Sequence, residues 1–246
     1  MRQKKIGLIG LMLVLMSITL IAQAAKLDGL LVYLPMNEGK GKIAKDGSGN
    51  DFDGEIVNGN GKWVTGQFDK GLELTATEEV QVKDAPGLDG GKAFTVAVWV
   101  FQENQQNTGV IQKGTKWGDD MSFLIQPWSD GKIYFGVNVT ASRAITNAGD
   151  HPLGKWYHLT GTFDGDMLKI FIDGTMKAEA KAPVNESPDT KVPIQVGNRL
   201  AGKIDEFVMY SRDLSENEIR AVFENDFVAV DALGKVATTW GQLKSR

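Results

Sequence analysis

Seven Asp-Gly pairs, beginning at Asp28, Asp46, Asp53, Asp89, Asp130, Asp164 and Asp173, cut the chain into short runs and limit what it can fold into. Both residues of such a pair tolerate positive φ, which makes Asp-Gly a strong hairpin-turn signal. Apolar and β-branched runs of strand length lie between the pairs. In Phe94–Phe101, Phe94, Val96, Val98 and Val100 alternate with Thr95, Ala97, Trp99 and Phe101, so both faces are apolar enough to be covered. A central strand is expected there. The clearest hairpin is a strand from Trp156 to Phe163, a turn at Asp164-Gly165, and a strand from Met167 to Ile172. His158 inside that strand reads as a packed residue, because general acid–base chemistry needs partners that the neighbouring sequence does not supply. His151, before Pro152, has no visible partner in the sequence either.

Helix is scarce. In "DLSENEIRAVFEND", Ser215 is a plausible N-cap, Glu218 completes a capping box, and Ile219, Val222 and Phe223 recur at helical spacing. The economical architecture is all-β, two covered antiparallel sheets with one short C-terminal helix.

The first residues belong to another category. Arg2, Lys4 and Lys5 precede an apolar run from Ile6 to Ala22, and Ala22-Gln23-Ala24 has the small-x-small form of a signal peptidase site. Residues 1–24 therefore read as a secretory signal cleaved after Ala24. The run is interrupted by Ser17 and Thr19 and is short for a membrane span of about 20 residues. The mature chain is expected outside the cytoplasm, secreted or periplasmic, with no membrane span. The leader takes away three of the 27 basic residues and none of the 31 acidic ones, leaving a net charge of −7. Nucleic acid is an unfavourable partner for such a chain. With no cysteine, stability must come from a core, a metal, or both.

Taken in order, "LVYLPMNEGKGKIAKDGSGNDFDGEIVNG", "WVTGQFDKGLEL", "FTVAVWV", "KWYHLTGTFDGDMLKIFIDG", "IQVGN" and "GKIDEFVMYSRDLSENEI" resemble the LamG-like jelly-roll domains of the concanavalin A-like lectin and glucanase superfamily. The resemblance runs from about Leu30 to Phe223. It implies a two-sheet jelly-roll sandwich over residues 26–226, with 227–246 as a tail of unassigned role. The family serves carbohydrate binding, adhesion, calcium-dependent contacts and plain structure, and a shared fold does not choose among them.

Catalysis has little footing. Glucanases of this fold use a Glu-x-Asp-x-x-Glu type of strand motif, whose paired carboxylates act as nucleophile and acid/base. No glutamate here starts that pattern; the nearest string, from Glu224, lacks the final carboxylate. Zinc, nucleophile-elbow and phosphate-loop motifs are missing too. A non-catalytic protein is expected.

The stretch "KDGSGNDFDG", Lys45 to Gly54, is dense in hard oxygen donors. Asp46, Ser48 and Asn50 begin like a calcium loop. An EF-hand fails, because its twelfth position is Val57 and the flanks read as strand. The jelly-roll resemblance implies another calcium geometry, with Asp46 and Asn50 from this loop completed by Asp205 of "GKIDE". Glu206 should face the other side of the strand. Asp51 and Asp53 rank lower. Such an ion would staple the first part of the domain to the last. The alternative is that Asp46 and Asn50 only form Asx-type turns.

For a ligand, Trp117 and Trp128 are the candidate exposed platforms, and Trp63 is expected to be partly packed. Asn138 and Asn185 head glycosylation sequons, which matter only in a host that glycosylates. Two function classes follow. One is a secreted, calcium-stabilised binding module for a carbohydrate or other extracellular ligand. The other is a structural or adhesive protein that contacts other proteins and has no small-molecule site.

Overall fold

The computed structural model describes residues 28–115, 120–138, 143–147 and 149–226. The expected leader, the tail 227–246 and Trp117 lie outside the described residues. The chain divides into two units, Gly29–Ile219 and the two ends Met1–Asp28 with Arg220–Arg246; both sheets belong to the first.

The strands in chain order are β1 (Leu30–Leu34), β2 (Ile43–Ala44), β3 (Gly54–Val57), β4 (Lys62–Thr65), β5 (Lys70–Leu74), β6 (Glu79–Val82), β7 (Phe94–Phe101) and β8 (Gly109–Lys113). There follow β9 (Phe123–Pro127), β10 (Ile133–Val137), β11 (Ala144–Ile145), β12 (Trp156–Phe163), β13 (Met167–Ile172), β14 (Thr175–Lys181), β15 (Ile194–Asn198) and β16 (Gly202–Tyr210). One antiparallel sheet runs β14-β13-β12-β7-β16-β5-β4, with β1 also paired to β16; the other runs β11-β10-β9-β8-β15-β6-β3-β2. The expected two-sheet, all-β architecture is the one observed.

Alternation decides which side chains meet between the sheets. Phe94, Val96, Val98 and Val100 of β7 are fully buried in a common core with Phe123 and Ile125 of β9 and Phe135 of β10. Phe94 lies at the centre of an aromatic group, 4.9 Å from Phe123, 5.8 Å from Phe163 and 6.1 Å from Phe135, ring centre to ring centre. Rings of both sheets therefore touch one side chain, across the roughly 10 Å that separates packed sheets.

β16 is the pivot of its sheet. It pairs with β7 on one side; on the other, Gly202, Lys203 and Ile204 pair with β5, and Phe207 to Tyr210 pair with β1. Between the two halves the register shifts, from Asp205 opposite Trp99 to Val208 opposite Ala97, and Glu206 takes a φ of 53°. This bulge breaks the alternation expected at "IDE", and both carboxylates are buried.

The Asp-Gly pairs do not all turn the chain. Asp173-Gly174 does, with φ of 50° and 70°, between β13 and β14. Gly54 instead opens β3, where a Cβ would sit 2.5 Å from Val80 Cγ1 and 2.8 Å from Leu34 Cδ1. Glycine is required there for close packing. The helix α1 (Glu216–Phe223) starts as expected: the Ser215 N–H donates to Glu218 Oε2 at 2.9 Å, and the Glu218 N–H donates back to Ser215 Oγ at 3.4 Å.

Truncating Phe94 to alanine removes the ring that both sheets share. Urea unfolding of Phe94→Ala is expected to show a loss of about 3–5 kcal/mol with little change in slope.

Candidate functional site

The outward face of the second sheet holds the most site-like arrangement. Strands β9 and β10 form a hairpin in which Phe123 and Ile125, then Ile133, Phe135 and Val137, go to the core. Alternation sends Gln126 and Tyr134 outward, directly opposite each other. The turn between the strands is pinned by Trp128, whose N–H donates to Lys132 O at 2.9 Å, and by Asp130, whose Oδ1 accepts from Lys132 N at 3.0 Å. The Tyr134 hydroxyl donates to Asp130 Oδ2 at 2.6 Å, which fixes the ring and holds the Asp130 carboxyl below its ordinary range. The Arg143 guanidinium stands 5.4 Å from the centre of the Tyr134 ring, within cation–π reach.

Gln126, Trp128, Tyr134 and Arg143 line a cavity of about 360 Å³. Gln126 is only 5 % exposed, and its side chain makes no hydrogen bond among the described residues. Its amide atoms are not among the fully buried, unpartnered ones, so they are open to solvent at the cavity and available to a ligand. Two aromatic side chains, an amide with no side-chain partner among the described residues and a cation at one opening suit a polar ligand that also has an apolar face. Of these four, the sequence reading singled out Trp128 alone. The signal for the others was available: Gln126 and Tyr134 are the polar outward positions of the short strands "FLIQP" and "IYFGV". Trp63 donates from Nε1 to Gly41 O at 3.0 Å and packs partly against the core.

The acidic loop is organised by hydrogen bonds to its own carboxylate and amide side chains. Asp46 Oδ1 accepts from the backbone N–H of Tyr33 and of Ser48, each at 2.9 Å; Oδ2 accepts from Ser48 Oγ at 2.7 Å and Phe52 N at 3.0 Å. An ionised carboxylate has about four acceptor positions, and protein donors occupy them. Asn50 donates its amide to Leu30 O and Leu31 O at 3.1 and 2.9 Å. Asp205 shares none of these partners: its Oδ2 accepts from Phe68 N at 3.0 Å, and its Oδ1 is buried without a partner. Burial, with Glu206 beside it, pushes the Asp205 carboxyl up to about 8 against the pull of the Phe68 N–H. The loop reaches the last strand through Tyr33, whose hydroxyl donates to Glu206 Oε2 at 2.6 Å. Among the described residues, no group of three or more His, Cys, Asp or Glu is placed to hold a metal.

Both histidines have structural settings. His151 Nε2 lies 2.9 Å from Gln102 Oε1, a partner far from it in the sequence, and 3.2 Å from the hydroxyl of Tyr157, six residues on. His158 is buried, 5.3 Å from the Trp99 ring, and burial pushes it down to about 3.

Two outcomes follow from this geometry. Asp46→Ala strands the N–H groups of Tyr33, Ser48 and Phe52, so chemical denaturation is expected to show a loss of about 1–3 kcal/mol. His158 is neutral when folded and protonates below about 6.5 when unfolded, so the unfolded state binds the extra proton and stability falls with falling pH. Between pH 6.5 and 5 this contributes at most about 1.4 kcal/mol per unit, and His158→Gln is expected to flatten that part of the stability profile.

The family description "Concanavalin A-like lectin/glucanases superfamily" (Laminin_G_3) matches residues 74–220. Mouse pappalysin-1 is 26% identical over 151 residues, 52% of this chain and 9% of that protein, so the chain spans about a tenth of the curated relatives it matches. Domain 4 of AbnA, a GH43 extracellular arabinanase from Geobacillus stearothermophilus solved in complex with arabinotriose, superposes with a TM-score of 0.63 at 18% identity, covering 78% of this chain and 97% of that one. The binding domain of botulinum neurotoxin DC in complex with SialylT superposes with a TM-score of 0.60 at 16% identity, over 81% of this chain and 52% of that one. The sandwich, the order of its motifs and the matched family description agree: the chain belongs to the Laminin_G_3 family of the concanavalin A-like lectin/glucanase superfamily.

Proposed function

We propose that the protein is a secreted, non-catalytic module that binds carbohydrate in the cavity formed by Gln126, Trp128, Tyr134 and Arg143. The observation that carries this reading is the Gln126 amide, without a side-chain partner among the described residues, lining the cavity with Trp128 two residues further on and Tyr134 directly opposite. A sugar hydroxyl can donate to and accept from such an amide while the C–H face of the sugar lies on a ring. The arabinotriose and SialylT complexes of the structural neighbours support the ligand class. Among the described residues that line the cavity none is a carboxylate, whereas glycoside cleavage uses two across the scissile bond. Secretion rests on the leader pattern of residues 1–24.

A glycan array probed with the mature chain tests the proposal. Binding to at least one glycan is expected, with Trp128→Ala and Gln126→Ala each weakening it about tenfold or more. An array without a binder would favour the structural or adhesive reading. Calcium at Asp46, Asn50 and Asp205 is a separate proposal, supported by the oxygen density of the loop and by the unpartnered Asp205 Oδ1. If calcium binds there, EDTA lowers the thermal midpoint of the wild type and leaves that of Asp205→Asn unchanged; equal midpoints with and without EDTA in the wild type would rule it out.

A further inference from the structure

The outward face of the first sheet carries a row of charged and aromatic side chains. Trp156 of β12, Phe101 of β7, Lys203 of β16, Glu73 of β5 and Lys62 of β4 stand directly opposite one another across five adjacent strands. Alternation turns the middle three outward, because their chain neighbours Val100, Ile204 and Leu72 go to the core. Phe101 meets Trp156 in a T-shaped contact at 5.9 Å, Lys203 Nζ stands 4.6 Å from the centre of the Phe101 ring, and Lys62 Nζ donates to Glu73 Oε2 at 2.9 Å.

Phe101, Lys203, Glu73 and Lys62 line a cavity of about 720 Å³, twice the volume of the Gln126 cavity and on the other sheet. Its walls are braced by side chains that bind backbone. Gln106 Nε2 donates to Ala201 O at 2.8 Å, and Ala201 N donates to Gln106 Oε1 at 2.8 Å, which ties the loop after β7 to the turn before β16. Glu78 Oε1 accepts from Asn60 N and Gly61 N at 2.9 and 3.0 Å, and its Oε2 accepts from Thr75 N at 2.9 Å, which ties the loop after β3 to the one after β5. A ligand therefore meets walls that are already ordered, and little is lost in fixing them on binding.

The bracing leaves the cavity's charges unspent. Among the described residues Lys203 forms no hydrogen bond or ion pair, and its ammonium keeps only the Phe101 ring. The Glu103 carboxylate and the Asn104 amide, both in the loop wall, have no side-chain partner among the described residues, and Glu73 Oε1 lies outside the pair with Lys62. A neutral sugar offers no charge to Lys203 or Glu103. A polyanion is disfavoured, because three carboxylates and two ammonium groups line the cavity. The complement is a ligand with an acid and a base on one short frame and an apolar part for Phe101. From Phe101 to Lys62 there are three strand spacings, roughly 14 Å at ~4.8 Å each, the length of about four residues of extended chain.

We infer that this cavity is a protein-recognition site that takes a short extended segment of a partner protein, with an acidic side chain on Lys203, a basic one on Glu103 and an apolar one against Phe101. The site lies on a different sheet from the Gln126 cavity and stands whether or not that cavity takes a sugar.

The test is a titration of the isotope-labelled mature chain, followed by amide NMR shifts, with capped tetrapeptides that hold one Glu, one Lys and two residues drawn from Leu, Phe and Ser in every order. Capping the ends makes each probe resemble an internal segment of a protein. At least one peptide is expected to shift the amides of Phe101, Asn104 and Lys203 with a Kd of about 1 mM or tighter. Replacing both its charges by Gln, or titrating it into Lys203→Gln or Glu103→Gln, should weaken binding about fivefold or more, and unchanged amide positions elsewhere in the free variants report an intact fold. The site is overturned if no tetrapeptide shifts these amides, if the uncharged peptide binds as well, or if affinity survives both substitutions. Binding that requires free peptide termini overturns the partner-segment reading as well.

Discussion

Strand β16 joins parts of the chain that are farthest apart in sequence. Leu30 in β1 is opposite Tyr210, Leu72 in β5 is opposite Ile204, and β7 runs along the other side. Few of these contacts are local, so the chain must close long loops before the first sheet exists, the hallmark of slow-folding β topologies. Once closed, the sheet places Val96, Val98 and Val100 against the inner side chains of the second sheet, and the sandwich has one continuous core. A chain without cysteines relies on that burial.

Several acidic groups act as local organisers. Asp46 collects the amides that close the 45–54 loop. Glu78 accepts from Thr75 N, Asn60 N and Gly61 N, which holds its carboxyl down to about 2. Glu218 caps the helix and pairs with Arg212 at 2.7 Å. Glu79 gathers three amides on the outward face. Each case exchanges water for several N–H donors, and charge-assisted hydrogen bonds of this kind are roughly twice as strong as neutral ones. An acidic run therefore has two readings, cation ligand or backbone organiser, and its density alone does not separate them.

Much of the fold was legible in the sequence. The eight-residue runs of β7 and β12, the Asp173-Gly174 turn and the Ser215–Glu218 cap all follow from local periodicity and from side chains that reach only their near neighbours. The bulge at Glu206 was not legible, because it is set by the competing registers of β7, β5 and β1 on a single strand. The Gln102 partner of His151 was hidden because it depends on strand pairing: Gln102 follows β7, which pairs with β12, the strand after His151.

The candidate site divides in the same way. From the sequence alone came the strand-and-turn order, the inward set of apolar residues, the outward position of Trp128 in a turn and the family pattern, because each depends on alternation, turn chemistry or motif order along the chain. Tertiary structure alone decided that Gln126, Trp128, Tyr134 and Arg143 share a cavity, that Phe101, Lys203, Glu73 and Lys62 align in one row, and that Glu206, through Tyr33, ties the acidic loop to the last strand. The physical reason is register: which residues of distant strands face each other is fixed by the packing of both sheets together, and no local preference encodes it.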